Sequence, residues 1–248
     1  PGRIADILLL KDIGHPTPLK VIERGRVAAE DGVLLFQSFP FPDIRNKFHP
    51  YVFDRVGIDD FQIEGKEESI IPVIDIVDRT VTSRIDIELR RNGAYLIPER
   101  EKDIRKVLYT RRDKKHWGKG FVRGIGADIG GIATTVAHET HGLLVLGFND
   151  ADMATAANKV LNMGGGIALV DHDRILHMLP LPQGAIMSDL NISDLARELT
   201  RINMTLRERG SKLEDPLWTI VILTLTSIVA LRLTVSGVYD VKTGEIVF

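Results

Sequence analysis

The sequence predicts an α+β fold: a partial β-sandwich segment followed by a mixed, mostly antiparallel sheet domain with packed helices. Three observations carry that expectation. Strand-like and helix-like runs follow one another without the regular alternation of a doubly wound sheet. The strand runs are short and bounded by Asp-Gly, Asn-Gly and Gly-Gly-Gly punctuation. A length of 248 residues with 44% hydrophobic residues suffices for one large core or two domains.

Residues 4–10 are a short apolar run, residues 19–23 a second, and residues 25–34 read as two short strands around the turn Asp31-Gly32. So few short strands bury too little surface to stand alone, which predicts a β unit with a missing half. The opening Pro1-Gly2-Arg3, with no Met before it, is read as a start inside a longer polypeptide. Between residues 36 and 57, Pro40, Pro42 and Pro50 recur among Phe39, Phe41, Phe48, Tyr51 and Phe53 without a sustained period. That pattern predicts a connection packed along a neighbouring domain, since a free linker is rich in Gly, Ser and charge. The expected organisation is a β-sandwich portion over 1–38, a connecting segment over 39–60 and an α+β domain over 61–248.

Within the last region, residues 70–77 and 81–89 read as strands, with Ile85, Ile87 and Leu89 alternating against Asp86, Glu88 and Arg90, and Asn92-Gly93 supplies a turn. Residues 103–110 are a further apolar stretch. Six glycines fall within 118–131, and Gly118, Gly120, Gly124 and Gly126 are read as a tight loop that approaches a partner surface. Residues 132–137 predict a strand ending at His138, and 143–147 another. Asn149 caps a helix with Met153, Ala156, Ala157, Val160 and Leu161 on one face. Gly164-Gly165-Gly166 end it, and a hairpin over 167–181 turns at Asp171-His172-Asp173. Ser193 is expected to cap a second helix reaching about Arg209, with Leu195, Leu199, Ile202 and Leu206 inward. Residues 217–231, opened by Asp215-Pro216, are expected to form a buried helix, shorter than the roughly 20 apolar residues a membrane span needs. Strands close the chain.

Composition excludes several classes of function. The absence of cysteine removes disulfide scaffolds, thiolate nucleophiles, iron–sulfur clusters and sulfur-ligated zinc, including that of the His-Cys-Cys zinc deaminases. With 32 Lys plus Arg against 34 Asp plus Glu, the net charge of −2 gives no bulk attraction for a phosphate backbone, so no nucleic-acid partner is expected. No membrane partner and no targeting segment are expected, and the expected compartment is the cytoplasm.

His138-Glu139-Thr140-His141 lacks the metalloprotease spacing, which needs histidines four apart on one helical face. Two readings stay open. The pair sits at a strand end with its ring nitrogens bonded to backbone, or it forms a polar cluster at the rim of a cleft, because imidazoles and a carboxylate between two apolar strands are costly to bury without a partner. Gly164 to Gly166 follow a helix, offer its negative end and lack the Lys and Ser or Thr of a phosphate loop. Ser188 and Asp189 are placed to reach a ligand or, more simply, to cap the helix that follows. The basic stretch of residues 111–117 reads as a solvated loop.

Several of these stretches together resemble the adenine deaminases of the amidohydrolase superfamily, in the portion downstream of the metal-binding barrel. Pro1-Gly2-Arg3-Ile4-Ala5-Asp6 is similar to the segment by which amidohydrolases return from the barrel to their small β-sandwich. Gly120-Phe121-Val122-Arg123-Gly124-Ile125-Gly126, residues 132–141, Gly147-Phe148-Asn149-Asp150-Ala151-Asp152-Met153, Gly164 to Gly166, residues 179–189, and Leu231-Arg232-Leu233-Thr234 with Gly237 and Asp240-Val241 follow in the family's order. Gly142, Gln183-Gly184 and the Pro-free Ser227-Ile228-Val229-Ala230 depart from it.

The resemblance implies hydrolytic deamination of adenine to hypoxanthine and ammonia by the complete enzyme, with a divalent metal (manganese, iron or zinc) held in the barrel. This chain has no His-x-His and is expected to hold none of the metal ligands and to be inactive alone. The implied partners are adenine, the barrel domain of the same enzyme and further copies in a homo-oligomer. No catalytic residue is assigned. His138, Glu139 and His141, supported by Ser188 and Asp189, are the candidates for lying close to the substrate at the barrel mouth. The alternatives are a non-catalytic purine-binding or dimerisation module and an amidohydrolase of different specificity.

Overall fold

The computed structural model describes residues 2–36, 55–65, 70–112, 116–138 and 140–248. The chain divides into two compact units, Pro1–Asp43 and Ile44–Phe248. Of the connection expected over 39–60, residues 39–54 lie outside the described residues, and Ile58–Phe61 is a short 3-10 turn that buries Phe61.

The first unit is an antiparallel meander of β1 (Ile7–Leu10), β2 (Pro18–Glu23), β3 (Arg26–Glu30) and β4 (Val33–Leu34), paired in that order. Asp31 (φ 49°) and Gly32 (φ 79°) supply the two left-handed positions of the tight β3–β4 turn, whose twist matches that of the flanking strands. Ala28 is the one apolar residue buried among the described residues of this unit.

The second unit is built on an eight-stranded sheet. Its strands are β5 (Ile70–Ile76), β6 (Thr82–Glu88), β9 (Ile104–Thr110), β10 (Trp117–Arg123), β11 (Gly131–Thr134), β12 (Leu143–Gly147), β13 (Gly166–Asp171) and β14 (Arg174–Pro180), in the order β14-β13-β11-β12-β9-β10-β5-β6. A small hairpin, β7 (Arg91–Asn92) and β8 (Tyr95–Leu96), lies between β6 and β9 in sequence. All neighbours in the large sheet are antiparallel except β10 and β5, the mixed, mostly antiparallel α+β arrangement the sequence predicts.

Because successive side chains on a strand point to opposite faces, Leu143 and Val145 of β12 go to one side and Leu144 and Leu146 to the other. The first side is covered by α1 (Asp150–Asn162) through Met153, Ala156, Ala157 and Val160. The second side is covered by α2 (Ile192–Glu208), α3 (Pro216–Val221) and the antiparallel strands β15 (Leu231–Thr234) and β16 (Gly237–Asp240), with β17 (Glu245–Ile246) beyond them. Covered on both faces, β9 is buried at all seven positions. Its two cations are paired, as burial demands. Lys106 Nζ lies 2.8 Å from the Asp150 carboxylate, while Arg105 pairs with Asp103, donates to Ala127 O at 2.9 Å and lies 4.4 Å from the centre of the Phe148 ring.

Four local expectations change. Gly118 and Gly120 belong to β10 rather than to a loop. A Cβ on either would overlap Thr234 O or Val238, so their bareness seats β15 and β16 against the sheet. The strand read over 132–137 ends at Thr134, and residues 135–142 connect β11 to β12. The second helix is capped by Asn191, whose Oδ1 accepts from Asp194 N at 2.9 Å, two residues before Ser193. The apolar run 217–231 is not one buried helix: α3 ends at Val221, and short turns lead to β15, with Leu223 N bonding Ile220 O and Leu225 N bonding Ile222 O. The cap of α1 is as predicted, with Asn149 Oδ1 accepting from Asp152 N at 3.0 Å.

Candidate functional site

The polar side chains singled out in the sequence gather at the β11–β12 connection. Thr135 anchors its start: the hydroxyl donates to Ala185 O at 2.6 Å and accepts from Gly166 N at 2.8 Å. His141 N donates to Ala137 O at 2.8 Å, and His141 takes a left-handed backbone with φ 47°. Gly142 comes next, where a Cβ would overlap Thr110 O and crowd the Tyr109 hydroxyl. That hydroxyl, buried on β9, accepts from Gly142 N at 3.0 Å and bonds the Thr140 hydroxyl. The tip is therefore fixed to the middle of the sheet on either side of His141.

His138 is fixed from the other direction. Its N–H donates to Val221 O at 3.1 Å, and its carbonyl accepts from the Thr224 hydroxyl. The His138 ring meets the His141 ring edge-on with centroids 5.2 Å apart, and the Trp218 ring at 5.7 Å. The bonds that hold the turn are made by backbone atoms of His138 and His141, and the two imidazoles meet edge to face. Burial, then the neighbouring His138 and Arg112, hold the His141 imidazole below its ordinary pKa. That shift favours the neutral ring, in which one nitrogen is a donor and the other an acceptor.

Ser188 and Asp189 belong to a second loop tied to the same end of the sheet. Gln183 and Met187 exchange backbone hydrogen bonds at 3.1 Å, and Arg112 donates to Gly184 O at 2.6 Å. Arg112 thus links this loop to the neighbourhood of His141. Ser188 Oγ accepts from Leu190 N at 3.0 Å, and Asp189 Oδ1 accepts from Gln183 Nε2 at 2.6 Å, which are local turn contacts. The structure brings His138 and His141 together and keeps Ser188 and Asp189 on the adjoining loop; Glu139 lies outside the described residues.

Tyr109, Arg112, Trp218 and Thr224 complete this region and were not foreseen. Tyr109 carries a faint signal, as a phenol inside an otherwise apolar strand, and Arg112 stands in the basic stretch read as a solvated loop. Among the described residues no three His, Asp or Glu side chains are placed to share a metal ion. No helix among them is long and apolar enough to cross a membrane.

The architecture is that of a layered α+β domain, with His138 and His141 at one hairpin tip and Ser188 and Asp189 on an adjoining loop. The chain belongs to the adenine deaminase C-terminal domain family, whose model matches residues 79–245. It is 35% identical over 252 residues to an adenine deaminase of Moorella thermoacetica, an alignment covering 97% of this chain and 41% of that relative. An adenine deaminase of Clostridium botulinum is 33% identical over 253 residues, covering 100% of this chain and 42% of the relative. Adenine deaminase 2 of Carboxydothermus hydrogenoformans is 32% identical over 252 residues, covering 100% of this chain and 44% of the relative. The chain spans about two fifths of the length of these curated relatives.

Proposed function

We propose that this chain is the C-terminal portion of an adenine deaminase, and that the complete protein hydrolyses adenine to hypoxanthine and ammonia. The observation that carries the reading is the end-to-end alignment of the chain with relatives named for that activity. The described residues do not fit the divalent metal (manganese, iron or zinc) that such a hydrolysis implies, because no three donor side chains converge among them. We place that ion in the barrel domain.

The role we assign to this chain is to close the rim of the substrate site and orient the purine. A neutral His141 imidazole is suited to a ring nitrogen or amino group, since it offers a donor and an acceptor without the desolvation cost of a charge. His138 is held beside it. Ser188 and Asp189 brace the 183–189 loop through the contacts to Leu190 and Gln183.

The test is ammonia release from adenine by the full-length protein, with metal content measured, beside the 248-residue chain alone. Turnover in the first and none in the second are expected. Release from another amino-bearing ring but not from adenine would reassign the specificity, and purine binding without ammonia would leave a non-catalytic module. In the full-length protein, His138→Ala or His141→Ala with unchanged metal content, turnover and KM would remove that residue from the site.

A further inference from the structure

The deamination reading makes no use of a cleft of about 250 Å³ between α2, α3 and the β14 end of the sheet. Val136, Leu179, Leu199 and Leu217 give it apolar walls, and Trp218, 40% exposed, stands at its side. Pockets for drug-sized ligands run to about 300–1,000 Å³, so this one admits one or two rings and little more.

Two polar side chains on its wall give it a recognisable chemistry. Asn203 Oδ1 accepts from Leu217 N at 3.0 Å, which fixes the amide orientation and leaves its NH2 as a donor. Asp215 Oδ1 accepts from Trp218 N at 3.0 Å, which leaves its second carboxylate oxygen as an acceptor. Because the amides they hold are consecutive in the chain, the donor and the acceptor stand on neighbouring points of the wall. A hydrocarbon would leave both desolvated and unpaired, at a cost, whereas a ligand with the complementary edge satisfies both.

We propose that this cleft binds a small planar nitrogen heterocycle whose edge carries a hydrogen-bond acceptor beside a donor, read by the Asn203 amide and the Asp215 carboxylate next to Trp218. Lactams and aminoazines have that edge. The His138 ring, 5.7 Å from Trp218, links the cleft to the hairpin tip. The proposal stands on the cleft alone and does not require the deamination reading.

The probe is 2-quinolinone, a two-ring lactam, with its N-methyl derivative as the analogue whose donor is blocked. Methyl NMR of the complete protein should show 2-quinolinone shifting the signals of Val136, Leu179 and Leu199, and the N-methyl compound binding at least about tenfold more weakly. Asn203→Asp keeps the acceptor for Leu217 N and replaces the donor with a second acceptor. It should weaken 2-quinolinone and the N-methyl compound alike, by about tenfold, because both keep the carbonyl that the Asn203 amide reads. Should that variant melt early, Asp215→Asn, which keeps the bond to Trp218 N and converts the free acceptor into a donor, should weaken 2-quinolinone by about tenfold and the N-methyl compound, which has no N–H to lose, by less than about twofold. Absent methyl shifts, equal affinity for the two compounds, or a folded variant that binds 2-quinolinone as before would overturn the proposal. Ammonia release from adenine on the same samples separates the two ideas. Lost turnover with intact shifts sinks only the deamination reading, and intact turnover without shifts sinks only the cleft.

Discussion

Strands β1 and β12 are made of nearly the same residues, Ile-Leu-Leu-Leu and Leu-Leu-Val-Leu-Gly, and meet opposite fates. In β1 the side chains of Ile7, Leu8, Leu9 and Leu10 stay 36% to 58% exposed, while Leu143 to Leu146 of β12 are fully buried. Both runs form strands because four or five consecutive apolar residues bounded by turns are too short for an ordinary helix. Only β12 has a helix layer on one side and α2, α3 and β15 to β16 on the other. Strand formation and core formation are therefore separate events. The second contributes nearly all the stabilisation, at about 25 cal/mol per Å² of apolar surface removed from water.

The comparison breaks most visibly at the covered sheet. Phe121 of β10 is fully buried among Ile104, Leu96 and Val73, so Phe121→Ala should cost about 3–5 kcal/mol in urea unfolding, the range for a large core truncation. A cost below about 1 kcal/mol would mean that this face is not packed in solution.

The hairpin tip, half-buried at His138 and His141, gives a smaller and pH-dependent effect. Since the folded protein holds the His141 pKa below its ordinary value, the unfolded chain binds the proton more readily. The stabilisation is complete above the ordinary histidine value and is lost as pH falls through it towards the folded value. His141→Asn, which tolerates the left-handed backbone, should show a shallower fall in stability between about pH 7.5 and 5.5 than the parent protein. An unchanged slope would show that the imidazole is not desolvated.

The smallest effect belongs to the bare sheet. Leu9→Ala should change stability by no more than about 0.5 kcal/mol, the usual surface value. A loss above about 1 kcal/mol would show that β1 is covered in solution and would collapse the contrast with β12.

Much of the fold was legible because its signals are local. Alternation at Ile85 and Ile87, the Asp31-Gly32 turn and the Asn149 cap each span a few residues. The misreadings arose where a partner distant in sequence decided the outcome. Gly118 and Gly120 resemble loop glycines until β15 and β16 are seen to fill the space that a Cβ would take. Residues 217–231 resemble a buried helix until Thr224 is seen bonding His138 O and β15 pairing with β16. At the candidate site the two histidines were visible as an unusual pair between apolar strands. Tyr109, Arg112 and Trp218 were not, because they stand 26 to 80 residues away and acquire their roles only by contact.

The sequence alone determined where most strands and turns and the first helix cap would form, and the order of blocks that places the chain in its family. Those features depend on backbone preferences and on residues within a turn or two of one another. The tertiary structure decided which apolar strands became core, how the tip carrying His138 and His141 was tied to Tyr109, and where Asn203 came to stand beside Asp215. Such outcomes rest on contacts like that of the Thr82 hydroxyl with Leu231 O, 149 residues apart and 2.9 Å long. No local pattern encodes a meeting of that kind, because its free energy exists only once both surfaces have left water.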